Sequence, residues 1–172
     1  MEGLQNVFDR LSDVIGKVAA ALMLLLLLNV FYDVIARYFF KASSIGMQEL
    51  EWHLFASMFL LGIAYTLKEE GHVRVDILYE KLSEKHQAWV NSIGCLIFIL
   101  PFCSLIIWYG YDFAFESYSL KETSGDPGGL SYRWIIKAMI PLSALTLAFS
   151  CLGLLLKNLR CLINLNAKGD IQ

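Results

Sequence analysis

Apolar residues gather in four long stretches, Val18–Ala36, Leu54–Leu67, Ile93–Tyr111 and Ala138–Leu156, separated by charged or turn-forming segments. A bilayer's hydrocarbon core is about 30 Å thick and takes roughly 20 mostly apolar helical residues to cross. Backbone polar groups left unpaired in lipid are costly, so only helices and closed barrels span it. None of the four stretches alternates with period two, which selects helices. The pattern predicts an all-α integral membrane protein with four transmembrane helices, at approximately 16–39, 49–68, 88–114 and 132–157, forming a single domain over residues 1–172.

The segments between the spans carry their own patterns. Leu4, Val7, Phe8, Leu11 and Ile15 recur at helical spacing, which predicts an amphipathic lead-in near the interface before the first span. The short connection Phe39–Met47 makes spans one and two an antiparallel hairpin. In the longer connection Lys68–Gln87, Val75, Leu78, Tyr79, Leu82 and Trp89 share one helical face while Asp76, Glu80 and Glu84 lie elsewhere. That is the signature of an interfacial amphipathic helix between spans two and three. The connection Ser117–Leu130 ends in Asp126-Pro127-Gly128-Gly129, a strong turn signal.

Composition and charge narrow the picture. With 57% hydrophobic residues in 172 and a mean hydropathy of +0.55, little sequence remains for a soluble catalytic domain once four helices are counted. A net charge of −2 gives no reason to expect nucleic acid as a partner. Glu2, Asp9 and Asp13 flank a first apolar run too long for a signal peptide, so this run is expected to remain as an anchor. With the N-terminus inside, nine of the 14 Lys and Arg fall on the inner side and five on the outer, so both termini are expected in the cytoplasm. Pro101 and Pro141 fall within spans three and four, where each removes a hydrogen-bond donor. Cys95, Cys103, Cys151 and Cys161 form no CxxC pair and read as small packing residues.

Polar residues within or beside spans are the candidates for function. Asn29 and Asp33 interrupt span one, and Asp33 and Arg37, four apart, can pair on one face. Glu49 and His53 are likewise four apart at the start of span two. An Arg37–Glu49 bridge across the first hairpin is an expectation, whereas a metal site is not, because a carboxylate-bridged centre needs Glu-x-x-His on paired helices. Arg133 and Lys137 share a face at the start of span four, where the helix dipole disfavours cations. They call for a compensating partner: Asp112 or Glu116 on span three, a second protein, or anionic lipid. Tyr38, Trp52, Trp89 and Trp134 fit an aromatic belt.

Several membrane chemistries find no support. Only His53 among the histidines touches a span, so no axial haem pair exists. There is no redox-spaced cysteine pair, no base-activated serine motif and no P-loop. No catalytic residue, cofactor or metal is expected. Without repeats or broken helices, the chain also lacks the marks of a stand-alone secondary transporter. The alternative reading is a small homo-oligomeric ion-coupled transporter using Asp33 or Glu49.

Six strings carry a family likeness. Glu49-Leu50-Glu51-Trp52-His53-Leu54-Phe55 leads into Phe59-Leu60-Leu61-Gly62-Ile63-Ala64-Tyr65-Thr66-Leu67-Lys68 and then Gly71-His72-Val73-Arg74-Val75-Asp76. Gly128-Gly129-Leu130 and Arg133-Trp134-Ile135-Ile136-Lys137-Ala138 follow, with Ile140-Pro141-Leu142. Together they resemble the small, DctQ-like membrane subunit of tripartite ATP-independent periplasmic (TRAP) transporters. The resemblance implies a multi-pass protein of the bacterial inner membrane, with both termini cytoplasmic. Its partners would be a large membrane subunit that carries organic acid, usually with sodium, and a periplasmic substrate-binding protein. No catalytic role is implied. Arg37, Glu49, Arg133 and Lys137 are the candidates for partner contacts, with His53 beside them. His72, Arg74 and Asp76 are expected to hold the interfacial helix, Asp76 as its cap, and Gly62 to allow close helix contact.

Overall fold

A computed structural model of the protein describes residues 2–69, 79 and 81–169, with the backbone alone for Glu2, Leu4 and residues 166–169. His72, Arg74, Asp76 and most of the expected interfacial helix lie outside the described residues. Four helices, each long and apolar enough to cross a membrane, make up nearly all of the rest. They are α1 (Glu2–Phe39), α2 (Ile45–Lys68), α3 (Glu84–Ser119) and α4 (Trp134–Gly169). At 1.5 Å per residue, α1, α3 and α4 run to more than 50 Å and α2 to about 36 Å. The three long helices therefore extend well past a hydrocarbon core, while α2 barely exceeds one.

Local chemistry sets several of the helix ends. α1 and α3 end with Lys41 and Lys121 in the left-handed region, at φ 49° each. At α3 the Glu122 amide reaches back to the Ser117 carbonyl, closing a Schellman cap of a kind that usually employs glycine, and at α1 the Ala42 amide reaches Ala36. The Ser44 hydroxyl caps α2 by accepting from the Met47 amide. Inside α3, Cys95–Ile99 forms a π turn in which the Leu100 amide bonds the Cys95 carbonyl. It lies immediately before Pro101, whose missing N–H breaks the ordinary ladder there.

α4 is the hub. In its most apolar window 44% of residues are buried, against 11–17% in the other three helices. It touches α1, α2 and α3, α1 pairs with α2, and α3 joins the bundle chiefly through α4. A buried cluster of Leu67, Cys95, Cys151, Leu154 and Leu155 ties α2 and α3 to α4, and its cysteines are reduced thiols in packing roles. Ile15, Ala19, Leu61 and Ala64 form the α1–α2 seam.

Two sequence-based expectations change at this level and a third gains detail. The lead-in is continuous with the first span. Its residues are the first turns of α1, and they pack on α4 through a Phe8–Phe149 stack and a buried 2.8 Å hydrogen bond between the Ser12 and Ser150 hydroxyls. Trp89 does not share a helix with Leu82, because Lys81–Ser83 is non-helical and α3 starts afresh at Glu84. Gly62 meets no neighbour: a Cβ there would have nothing within 4 Å. The close contacts fall elsewhere. A Cβ on Gly110 would lie 3.1 Å from Pro141, and one on Gly16 would lie 2.5 Å from the Tyr65 ring.

Candidate functional site

The bundle alternates direction, so the α1–α2 turn and the loop between α3 and α4 meet at one end and the termini at the other. At the loop end the chain from Leu120 to Arg133 folds over the start of α2. Its centre is a turn in which the Gly129 amide bonds the Asp126 carbonyl at 3.0 Å, with Pro127 and Gly128 (φ 85°) between them. Pro followed by a positive-φ glycine is the type II arrangement, so the Asp-Pro-Gly-Gly signal specifies the turn type as well as its position.

Glu49 fastens this loop to α2. Its carboxylate accepts from the Ser124 hydroxyl on one oxygen and from the Leu130 amide, at 2.6 Å, on the other. The Ser124 amide in turn bonds the Leu130 carbonyl at 3.0 Å, closing a ring of contacts around the turn. Gly129 lies against the carboxylate: a Cβ there would overlap Ser124 and come within 2.9 Å of Glu49 Oε2. Glu49 is buried although it belongs to a membrane-spanning helix. Two hydrogen bonds to its charged oxygens are what make burial tolerable.

One of the cations finds an expected partner and the others do not. Arg37 pairs with Asp33 on α1, as their spacing suggested, and Asp33 is buried beneath it. The expected Arg37–Glu49 bridge is absent, since each group is engaged elsewhere. Lys137 bonds Glu122 of the loop, not Asp112 or Glu116 of α3, and sits 4.2 Å from the Phe113 ring centre. That bond holds the Glu122 carboxyl below its ordinary value, against partial desolvation. Arg133 lies over the Trp52 ring at 5.7 Å. The Trp52 ring also lies tilted against His53, whose Nδ1 meets the Glu49 carbonyl. Asn29, buried in α1, donates to the Met47 carbonyl of α2 at 3.0 Å. It thus serves as a helix crosslink. Among the described residues no group of three His, Cys, Asp or Glu is placed to hold a metal ion.

The structure thus brings Glu49, His53, Arg133 and Lys137 together and leaves Arg37 with Asp33. Sequence reasoning missed Ser124, Leu130 and Glu122, which complete the network from 15 to 81 residues away along the chain. It also missed Asp13, which pairs with Lys68 at the opposite end of α2. No local periodicity encodes such contacts. The nearest signal was the polar, turn-rich segment 122–131 following an apolar span.

Comparison with known proteins finds relatives of this sequence. Residues 26–161 match the family described as tripartite ATP-independent periplasmic transporters, DctQ component. A protein of Haemophilus influenzae described as a TRAP transporter small permease is 28% identical over 148 residues, covering 84% of this chain and 88% of the relative. The sialic acid TRAP transporter permease protein SiaT of Haemophilus influenzae is 29% identical over 119 residues, covering 68% of this chain but only 18% of that much longer protein.

Proposed function

The chain belongs to the DctQ component family of tripartite ATP-independent periplasmic transporters, an inner-membrane family, and from that membership we propose that it supports a large permease subunit and helps to dock a periplasmic substrate-binding protein. The observation that carries this reading is the match to SiaT. A stretch equivalent to this chain makes up a small part of a larger permease, as expected of a module that works beside a transport body. The substrate class follows as an organic acid, since that relative is named for one, with uptake driven by an ion gradient, sodium in the simplest case.

The Lys and Arg asymmetry supports placing both termini in the cytoplasm, with the loop end facing the periplasm. On this reading Glu49, Lys137 and Glu122 are positioning residues. They hold the segment 120–133 in one shape before any partner arrives, so that docking loses less conformational entropy. The exposed side chains Lys121, Asp126 and Tyr132 then form the surface offered. Glu49 and Asp33, the carboxylates of the ion-coupled alternative, both have hydrogen-bonding partners within the chain.

Uptake into proteoliposomes tests the proposal. Vesicles holding this chain with the large subunit and supplied with binding protein should accumulate an organic acid under a sodium gradient. Vesicles holding this chain alone should not. Gradient-driven flux from the chain alone, abolished by Asp33→Asn, would establish the alternative.

A further inference from the structure

Beneath the loop, α2 and α4 leave a lateral groove of about 500 Å³. Its two ends differ in chemistry. Trp52, Arg133 and Lys137 stand at the loop end, and Phe59, Leu60 and Ile140 continue it toward the middle of the bundle. The groove walls belong to helices long and apolar enough to span the membrane. Phe55 and Phe59, 54% and 59% exposed, leave it open sideways, where lipid would lie.

We propose that this groove binds a single phospholipid, its phosphate held by Arg133 and Lys137 and one acyl chain lying along Phe55, Phe59 and Ile140. The charge pattern favours such an occupant. Glu49 is committed to Ser124 and Leu130, and Glu122 to Lys137. Among the described residues Arg133 makes no ion pair; its guanidinium carbon lies 5.7 Å from the Trp52 ring centre. Its planar set of N–H donors, engaged by no carboxylate, matches a phosphate. Lys137, one turn along the same face, is paired with Glu122 and offers a phosphate only its remaining N–H donors.

Chemistry favours a lipid over a partner helix. From Trp52 to Leu60 the groove runs about 12 Å along α2, an apolar length with the Arg133 cation at one end. A phospholipid supplies both an anion for that cation and an apolar chain for that length. A soluble carboxylate would engage the cations but leave the apolar length unfilled. The site does not depend on which membrane face the loop end meets, nor on the docking role proposed above.

Trp52 provides the reporter. In the full chain carrying Trp89→Phe, Trp108→Phe and Trp134→Phe, reconstituted in phosphatidylcholine nanodiscs, Trp52 fluorescence is titrated with phosphatidylglycerol bearing brominated chains. A parallel titration uses diacylglycerol bearing the same chains. The phosphate-bearing lipid should quench at a lower mole fraction. Arg133→Gln should weaken that preference about fivefold, the contribution of one cation at a membrane surface, and Arg133→Lys should restore most of it. Ala56→Phe, which fills the groove, should reduce quenching by both lipids. Equal quenching by the two lipids in the parent chain would mean annular contact only and overturn the proposal. So would an Arg133→Gln variant with undiminished preference, or a Trp52 shielded from both lipids once the large subunit is bound, which would assign the groove to protein. Should the single-tryptophan chain fail to fold, native mass spectrometry of the otherwise unaltered protein decides the same question. One phosphatidylglycerol should be retained per chain and lost in Arg133→Gln; equal retention by both chains refutes the site.

Discussion

The two ends of α2 solve the same problem differently. α2 is the shortest span and carries a charge near each end, Glu49 and Lys68. At the loop end Glu49 is buried and closed in by a hydroxyl and a backbone amide from a loop 75 to 81 residues away. At the termini end Lys68 pairs with Asp13 of α1, whose side chain is 43% exposed, and with Glu69 beside it. The first arrangement fixes the shape of a loop through backbone contacts. The second is a solvent-accessible ion pair between side chains, and such pairs contribute between nothing and about 1 kcal/mol. A charge near a span end is thus insufficient to mark a functional site. What separates the two is whether the charge organises backbone that a partner could meet.

Substitutions at the two ends should separate accordingly. Glu49→Gln leaves the shape of the side chain but turns an amide toward the Leu130 N–H or the Ser124 hydroxyl. It should produce the largest effect, visible as faster hydrogen exchange at the Leu130 amide and proteolytic nicking between residues 120 and 133, with the four helices intact by circular dichroism. Exchange as slow as in the parent protein would show that the loop holds itself. Gly129→Ala comes next. Its Cβ would collide with Ser124 and press on the carboxylate, at a cost of about 1–3 kcal/mol in thermal or denaturant unfolding. Asp13→Asn at the other end should cost less than about 1 kcal/mol and leave loop exchange unchanged. If it loosened the loop, the two ends would be coupled through α2 and the contrast would fail.

The smallest effect concerns pH. Glu122 has its folded-state value lowered from the ordinary 4.5 chiefly by Lys137. The stability it contributes is therefore full above 4.5 and is lost as pH falls through the lowered value. Glu122→Gln should flatten this acid limb of an unfolding-versus-pH curve without altering the neutral range. An unchanged acid limb would remove Glu122 from the network.

Helices and their number were legible because lipid imposes one length and one period on whatever crosses it. The Asp33–Arg37 pair was legible because both partners lie on one helix, where spacing alone sets proximity. The turn at Asp126–Gly129 was legible from Pro and Gly chemistry. The partners of Glu49 and Lys137 were not, because they come from a loop whose path depends on how α3 and α4 pack. Gly62 misled for the same reason. A small residue permits close approach, but tertiary packing decides whether a neighbour takes it up, and here Gly16 and Gly110 fill that role.

The most direct test of the docking role is how much binding protein is needed for half-maximal uptake by the assembled transporter carrying Glu49→Gln. If the loop shaped by Glu49 is the docking surface, that concentration should rise while co-purification of this chain with the large subunit stays as in the parent. An unchanged concentration, with the loop shown by hydrogen exchange to be released, would contradict it.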